Sequence, residues 1–460
     1  MEDYMGYLFW GFLIAYGIIL WIISPHTVTL GGFFKGEDKH GKPASPALLT
    51  MSIFISWIFA KSVTNAANLG AEFGIVGGIA YATYWLCIPV TGLVIYHLRK
   101  RFAATGLVDF LKGRYGKIAS ICFSLAILIR LFNEVWSNSS VVAGYYGSSG
   151  SLPFIAAALL FTIITLLYSM RGGLRSAIIT DALQTVLFVI AVCFVLVYVL
   201  PHHSIAQYAG TGNWQLDAGV DLLLVTVLQL FSYGFHDPVL TDRGFISEKK
   251  VMLRAFTVSG ILGFIAILAF SLIGVDASLQ GMPLSSNMPA EVGKVMGIGS
   301  LFVMALIMIS AASSTLDSSF ASLSKLIAWD LPKMLGKTPD SRARRLGMAI
   351  MLAFAIIGNL PMVFGTDILK ATTISGTMIM GLAPVFILPI LAPKLLRATK
   401  LGFHLSFWIG IACGFCYAFG LVPAEIAIGN GKNGLLLAVN LYGLIACTLG
   451  YVVPGLIARK

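Results

Sequence analysis

The sequence has little charge for its length. Charged residues make up 11% of the 460 residues and hydrophobic residues 58%, whereas a soluble domain carries about a quarter of its residues as charges. It also lacks a polar linker that would separate soluble domains. The six cysteines lie inside apolar stretches and form no disulfide framework. These features exclude a soluble multidomain enzyme and predict an integral membrane protein.

Long apolar runs take the place of soluble domains. A spanning helix needs about 20 mainly apolar residues, and this rule predicts an all-α integral membrane protein with about 13 transmembrane helices. Their predicted bounds are 5–24, 47–69, 74–97, 118–146, 152–170, 176–200, 220–241, 252–276, 294–325, 342–364, 368–392, 402–422 and 435–457.

The basic residues predict the orientation of these spans. The chain has 31 Lys and Arg against 20 Asp and Glu. If the N-terminus is outside and the C-terminus in the cytoplasm, the lysines and arginines lie on the cytoplasmic side with five exceptions. These exceptions are Lys61, Arg130, Lys294, Lys370 and Lys432. The excess of basic over acidic residues therefore indicates a multi-pass protein of the plasma (inner) membrane, not a nucleic-acid-binding protein. The outer segments are short, so we expect no soluble catalytic domain and no enzyme.

Two spans carry polar residues that favour a broken helix. The second span has a polar cluster from Ser56 to Gly70 that includes Lys61. A helix break there would expose backbone polar groups, which a membrane tolerates only where protein surrounds them or a cavity adjoins them. The alternative for Lys61 is that it extends to the membrane interface. The seventh span contains Tyr233, His236 and Asp237 just before a proline, which frees a backbone carbonyl. The alternative there is an ordinary helix end near the inner loop.

The fourth and ninth spans carry further polar groups. Arg130, Glu134 and Asn138 follow one another at i+4 spacing on the fourth, so Arg130 and Glu134 either form a structural ion pair or serve a site. The ninth has a helical stripe of small and hydroxyl residues with one carboxylate, which together offer hard oxygen ligands suited to sodium. Small-residue packing is the alternative. The stripe consists of Ala311, Ser314, Thr315, Asp317 and Ser318.

The sixth span adds a second acid within the membrane. Asp181 lies about one turn from the predicted cytoplasmic end of the helix. It either binds a cation or interacts favourably with the N-terminal end of its own helix.

The spacing of the two broken helices predicts internal symmetry. They lie five spans apart, as in an inverted five-plus-five repeat, where paired broken helices mark the binding site of a secondary transporter. We therefore predict one transmembrane transporter domain over 1–460 with a repeat core at 47–392. Repeat one covers 47–200 and repeat two 220–392, and the peripheral helices lie in 1–30 and 400–460.

Three motifs resemble those of a known family. The stretch 171–184 reads Arg-Gly-Gly-Leu-Arg-Ser-Ala-Ile-Ile-Thr-Asp-Ala-Leu-Gln and resembles the Gly-Gly-Leu plus Thr-Asp-x-x-Gln signature of the sodium/solute symporter family. The serine-rich segment 310–330 resembles that family's sodium-site helix. Asp237-Pro238 with Arg243 is similar to a Gln-Pro plus Arg pattern of proline-type members. The resemblance is greatest to proline-type and sialic-acid-type bacterial members, and it implies a leucine-transporter-type fold.

The same resemblance implies two sodium sites. The general site of the family joins two carbonyls at the break of the first core helix to three groups on the eighth. By position these correspond to Ala60 and Val63, and to Ala311, Ser314 and Thr315. A second site, present in some members, corresponds to Asp181, Ser314, Asp317 and Ser318. Two carboxylates there would either strengthen cation binding or retain a proton.

Lys61 and Glu134 are departures from the family pattern. A lysine beside the helix break leaves proton coupling or uncoupled transport open. An acid at Glu134 favours a solute with an amino, amide or guanidino group, whose carboxylate, if it has one, would contact Lys61. The predicted solute-binding residues are Lys61, Thr64, Asn65, Asn68, Glu134, Asn138, Tyr233, His236 and Asp237.

These observations predict a sodium-coupled symporter that imports a small polar solute by alternating access. The expected solute is amino-acid-like, an amide or a related nitrogenous compound. The expected partners are that solute, sodium and the lipid bilayer, with no nucleic acid and no obligate protein partner. A proton-coupled or uncoupled transporter of the same fold, and a transporter-like solute sensor, remain alternatives.

Overall fold

The computed structural model describes residues 2–364 and 374–458, and its regular secondary structure in these ranges is helical. The helices of six residues or more are α1 Glu2–Ile23, α2 Leu30–Lys35, α3 Pro46–Ser56, α4 Ala60–Ala82, α5 Cys87–Arg101, α6 Leu107–Tyr115, α7 Lys117–Ala143, α8 Leu152–Gly172, α9 Leu174–Val199, α10 Asp221–Gln229, α11 Lys249–Leu279, α12 Met288–Val295, α13 Ile298–Lys325, α14 Arg342–Ile357, α15 Leu382–Leu391, α16 Lys400–Ala418 and α17 Gly434–Ile457. Shorter helices include Tyr233–His236 and Pro238–Thr241.

The helix starts follow ordinary capping chemistry. The side chain of Ser45 accepts a hydrogen bond from the Leu48 N–H at the start of α3, and Pro46 occupies the first helical position. Ser151 caps α8 in the same way, by accepting from the Phe154 N–H. Local sequence therefore fixes where these two helices begin.

Nine helical stretches within the described ranges are long and apolar enough to cross a membrane. The predicted count of thirteen is not confirmed. The second and seventh predicted spans are interrupted, and the eleventh, 368–392, begins among residues outside the described ones. Residues 60–101 instead form one long helical stretch, which bends at Gly74 (φ 61°).

The first of two compact units comprises the described parts of Met1–Thr64, Leu131–Val199 and Ser285–Asp367. Within it, α13 packs against α9, α8 and α3, and α9 also packs against α3. Every residue of α13 from Ile307 to Ser324 is buried, because neighbouring helices surround this stretch. This unit contains the serine-rich segment, Asp181 and the first helix break.

The second compact unit comprises the described parts of Asn65–Arg130, Leu200–Leu284 and Ile368–Lys460. Within it, α11 packs against α5, α16 against α17, and α10 against α17. The second helix break lies here, between α10 and Pro238–Thr241. Each predicted repeat thus contains one interrupted helix, while the bounds of the repeats themselves stay a prediction.

Candidate cation and solute sites

The helix break between α3 and α4 exposes backbone carbonyls inside the first unit. Regular α-helix ends at Ser56 and resumes at Ala60, so residues 57–59 cannot form the full i to i−4 ladder. Trp57, Ile58 and Phe59 are all buried. The interruption agrees with the break predicted from the polar sequence around Lys61.

Helix α13 presents hydroxyls to this break. Thr315 Oγ1 donates to the Ser56 carbonyl at 3.2 Å and lies 3.1 Å from the Ala311 carbonyl one turn earlier. Ala311, Ser314 and Thr315 have no exposed surface. Three of the predicted sodium ligands are therefore buried, and one of them, Thr315, contacts a backbone oxygen at the end of α3.

The carbonyl at this contact differs from the two expected ones. Thr315 contacts the carbonyl of Ser56, one turn before Ala60. The Ala60 carbonyl accepts from the Thr64 hydroxyl at 3.3 Å, and Val63 lies further along α4. Because α3 ends at Ser56, its carbonyl is open to Thr315, and Ala60 and Val63 stay predicted cation ligands.

Asp181 lies where α9 meets α3 and α13. Its carboxylate accepts hydrogen bonds from the Ser52 and Ser314 hydroxyls, each at 2.5 Å. Ser52, Ser314 and Asp181 all have 0% exposure. The carboxylate therefore faces across to the serine of α13 rather than serving the N-terminal end of its own helix.

A second carboxylate, that of Asp317, lies on α13 about one turn after Ser314. Asp317 accepts from Tyr168 and Thr180 at 2.9 Å each and from Ser318 at 3.1 Å. Ser314 bonds to Asp181 and Ser318 to Asp317, so the predicted second site contains two separate carboxylate clusters. All these groups are oxygens, the donor type that sodium prefers.

Lys61 and Glu134 form a buried ion pair in the first unit. The ammonium lies 2.6 Å from Glu134 Oε1, and the two side chains are 1% and 0% exposed. Lys61 also donates to Ser137 Oγ at 3.3 Å. Extension of Lys61 to the membrane interface is therefore wrong, because its buried ammonium pairs with Glu134.

Asn138 connects this ion pair to the first turn of α4. Its Oδ1 accepts from the Ala60 N–H at 3.2 Å, while its Nδ2 donates to Glu134 Oε2 at 3.0 Å. A side chain from α7 thus satisfies the N–H of the first residue of α4. Asn138 orients Glu134 and the break together.

The second unit has its own ion pair at its own break. Arg130 lies 3.2 Å from Asp237 Oδ2, with both side chains at most 1% exposed. Asp237 also caps Pro238–Thr241 by accepting from the Val239 N–H. His236 Nδ1 donates to the Tyr233 carbonyl at 2.7 Å. The charged residues predicted at this break are therefore bonded within the protein.

The remaining predicted solute residues have local partners. Thr64 bonds back to Ala60, as described, and Asn65 donates to the Tyr81 hydroxyl at 3.2 Å within the second unit. Asn68 is partly exposed. Lys61, Glu134 and Asn138 are brought together in the first unit, and Tyr233, His236 and Asp237 in the second.

Sequence reasoning missed several buried groups that contact the predicted ligands. Ser52 and Ser56 lie one turn apart on α3, a hydroxyl spacing that could have indicated a second polar helix face. Thr180 is part of the Thr-Asp-x-x-Gln motif but was not assigned a role. Tyr168 had no signal of its own, because a tyrosine near a helix end is common.

The glycine pair of the motif has a steric reason. Gly173 adopts φ 57°, and a Cβ there would lie 2.3 Å from the Phe33 carbonyl. A Cβ on Gly172 would lie 2.5 Å from the Pro25 carbonyl. Only glycine permits this approach of the 25–33 segment to the start of α9, which carries Asp181.

Part of the chain matches a known protein family. Residues 41–242 match the model described as the sodium:solute symporter family. Among curated relatives, a urea active transporter of Saccharomyces cerevisiae is 20% identical over 71% of this chain and 50% of its own length. Sodium/glucose cotransporter 1 of Oryctolagus cuniculus is 27% identical over 39% of this chain and 27% of its own. The sodium/pantothenate symporter of Escherichia coli is 22% identical over 41% of both. The chain thus spans half or less of the length of these relatives.

Solved structures show the same fold. A Na+-coupled sialic acid symporter superposes with a TM-score of 0.75 at 15% identity, over 98% of this chain and 97% of its own. A nucleobase–cation symporter with bromovinylhydantoin bound gives a TM-score of 0.59 at 13% identity, over 94% and 96%. The predicted all-α fold of the leucine-transporter type is confirmed. The resemblance drawn from the motifs is also confirmed over residues 41–242, which match the sodium:solute symporter family, and the chain has the long apolar helices of a multi-pass membrane protein. The matched relatives are transporters and not enzymes.

Proposed function

We propose that this protein couples sodium entry to the import of a small polar solute by alternating access. The observation that carries the proposal is the contact between the Thr315 hydroxyl and the Ser56 carbonyl, beside the Ser314–Asp181 hydrogen bond. It joins a hydroxyl of an unbroken helix to an open backbone carbonyl of a broken one. Such oxygen sets suit a small monovalent cation.

The first sodium site comprises the Ala311 carbonyl, the hydroxyls of Ser314 and Thr315, and carbonyls at the α3–α4 break. To the predicted Ala60 and Val63 we add the carbonyl of Ser56. The second site comprises Asp181, Ser314, Asp317 and Ser318. Because Ser314 belongs to both sites, their occupancies are coupled.

The two helices explain how binding would drive transport. Thr315 holds α13 to the end of α3 at the break, and Ser314 holds it to Asp181 of α9. The first turn of α4 after the break carries Lys61 and bonds to Asn138. Fixing the break therefore orders the groups proposed to contact the solute. A charge crossing about 100 mV gains roughly 2.3 kcal/mol, and a tenfold gradient adds about 1.4 kcal/mol. One sodium would thus support a solute accumulation of several hundredfold.

The proposed solute is an amino-acid-like, amide or related nitrogenous compound. The solute-binding residues that we propose in the first unit are Lys61, Thr64, Glu134 and Asn138. Those that we propose in the second unit are Asn65, Asn68, Tyr233, His236 and Asp237. The presence of both charges at Lys61 and Glu134 supports a solute able to donate and to accept hydrogen bonds.

We place the protein in the plasma membrane with the N-terminus outside and the C-terminus in the cytoplasm, as the basic loops indicate. The inverted repeats 47–200 and 220–392, each with one broken helix, provide the alternating geometry. Proton coupling is the second candidate function. The observation that favours it is the pair of buried carboxylates, Asp181 and Asp317, since a buried acid without a cation tends to hold a proton.

Sodium-stimulated uptake into proteoliposomes tests the proposal. Ser314→Ala combined with Thr315→Ala should abolish the stimulation, because it removes both hydroxyls while leaving the backbone intact. Ser322→Ala is the matched control, a buried serine two turns further along α13. Uptake that follows a proton gradient and ignores sodium in the wild-type protein would favour proton coupling.

A further inference from the structure

A basic cluster lies where α14 begins in the first unit. The apolar stretches Ile298–Met334 and Arg342–Met362 are each long enough to cross a membrane, and only a short turn joins them. The cluster on this turn and on the first turn of α14 therefore lies at a membrane surface. Its members are Lys337, Arg342, Arg344 and Arg345.

The protein does not neutralise the charge of this cluster within the part of the chain that the structure describes. The side chains of Lys337, Arg342 and Arg345 are exposed, and no ion pair joins a member of the cluster to a described acid. Asp340 is the nearest acid in sequence, and its carboxylate accepts from the Arg342 backbone N–H at 2.8 Å. The cluster therefore presents an excess of positive charge to its surroundings.

The direction of α14 makes this excess more unfavourable. The N-terminal end of a helix carries a partial positive charge, which repels cations placed there. The first turn of α14 contains no acid, and Ser341 makes no side-chain capping bond. At α16, by contrast, the Thr399 side chain caps the helix by accepting from the Gly402 N–H. An anion from outside the chain would therefore stabilise the start of α14.

Arg344 is positioned for such an anion. Its guanidinium lies 6.0 Å from the ring of Phe33, a side chain that is 1% exposed. Its Nε is buried and has no hydrogen-bond partner among the described residues. Guanidinium groups bind phosphate oxygens through paired hydrogen bonds, and they also stack on aromatic rings. The Phe33 ring therefore limits the freedom of a phosphate-binding group before any anion arrives.

Apolar side chains adjoin the basic cluster. Leu335 is 51% exposed and Leu346 is 48% exposed. Leu346 follows Arg342 at i+4 spacing, so the two share one face of α14. A phospholipid places its phosphate beside acyl chains, whereas a soluble phosphate has no hydrocarbon to offer these leucines. Basic residues next to membrane spans attract anionic lipids, and this surface adds apolar contact to that attraction.

We propose that the basic cluster binds the headgroup of an anionic phospholipid. Arg342, Arg344 and Arg345 bind the phosphate oxygens, while Leu335 and Leu346 contact the acyl chains. The bound lipid joins the stretch that contains α13 to the start of α14 at the membrane surface. It thereby holds in place the helix that carries the proposed sodium ligands, whatever solute the protein transports.

Native mass spectrometry of the purified full-length protein in a neutral detergent tests the proposal. The protein is titrated with phosphatidylglycerol and, separately, with phosphatidylcholine of the same acyl chains. A cation near an anionic membrane surface gives about a fivefold gain in affinity. The variant with Arg342→Gln, Arg344→Gln and Arg345→Gln should therefore bind phosphatidylglycerol at least about fivefold more weakly than the wild type, with unchanged affinity for phosphatidylcholine. Equal phosphatidylglycerol affinities, or an equal loss for both lipids, overturn the proposal.

A second triple variant is the matched control. Lys394→Gln, Arg397→Gln and Lys400→Gln remove three cations at the start of α16 and should leave the affinity for phosphatidylglycerol unchanged. An equal loss in this control would show that overall charge alone attracts the lipid, which overturns the site. If the arginine triple variant does not fold, the variant with Arg342→Gln and Arg345→Gln, both exposed side chains, decides by the same criterion.

Inorganic phosphate distinguishes a lipid site from a simple anion site. Phosphatidylglycerol should raise the midpoint of thermal unfolding of the wild type more than that of the arginine variant, because a ligand that binds the folded state stabilises it. Sodium phosphate should give the wild type no more stability than sodium chloride of the same ionic strength. Stabilisation by phosphate equal to that by the lipid overturns the lipid assignment in favour of a soluble anion.

Discussion

Breaking the Lys61–Glu134 pair should destabilise the protein far more than removing it altogether. Glu134→Gln keeps the shape of the side chain but leaves a lysine with 1% exposure without its carboxylate. Removing one partner of a buried pair costs about 3–5 kcal/mol, whereas replacing both by neutral groups of similar volume is often close to neutral. We therefore expect a loss of about 3–5 kcal/mol for Glu134→Gln, and a smaller loss once Lys61→Met is added.

A double-mutant cycle measures this coupling. The free energy of unfolding is obtained for the wild type, the two single variants and the double variant by titrating detergent micelles with SDS and following helicity. Residues in direct contact show coupling energies of about 0.5–3 kcal/mol, and this pair should lie at the upper end. Additive effects, or a loss below about 1 kcal/mol for Glu134→Gln, would refute the buried ion pair.

Three further predictions concern single sites. Asp181→Asn should weaken sodium binding and lower the Hill coefficient of sodium-stimulated uptake toward one, because it removes a charged ligand of the second site; a coefficient of one in both proteins would argue against that site. Asn138→Leu should cost about 1–3 kcal/mol in the same SDS titration, since it leaves the Ala60 N–H unsatisfied, whereas Asn138→Asp keeps the acceptor and should retain this hydrogen bond; equal stability of Asn138→Leu and the wild type would contradict the cap. Gly173→Ala should strongly reduce the folded yield, because its Cβ would lie 2.3 Å from a carbonyl, while Gly41→Ala, at φ 74° with open space around it, isolates the cost of backbone conformation alone; similar yields for the two would show that the close approach is not the cause.

The sequence predicted the parts of the fold that depend on local pattern. Apolar runs predicted membrane helices, and the polar cluster around Lys61 predicted the first break. The oxygen groups on α13 are spaced for one helix face, so their shared burial could be anticipated. Family motifs added the fold type, which composition alone cannot distinguish from other helical membrane proteins.

The pairing of charges could not be read from the sequence. Arg130 and Glu134 are at i+4 spacing, which favours a pair within one helix, and this spacing gives no sign that Glu134 pairs with Lys61 and Arg130 with Asp237. Long-range partners depend on tertiary packing, and the sequence holds no record of it at either residue. The end of α3 at Ser56, whose carbonyl accepts from Thr315, could not be read from the sequence for a related reason, since helix ends are set partly by neighbouring side chains such as Asn138.

Direct binding of radioactive sodium to the purified protein tests the central claim. We expect saturable sodium binding in the wild type and in Ser322→Ala. In the variant with Ser314→Ala and Thr315→Ala, we expect sodium binding at the first site to be lost. Unchanged saturable binding in that variant, or no saturable binding in the wild type, would contradict a sodium site at the first helix break.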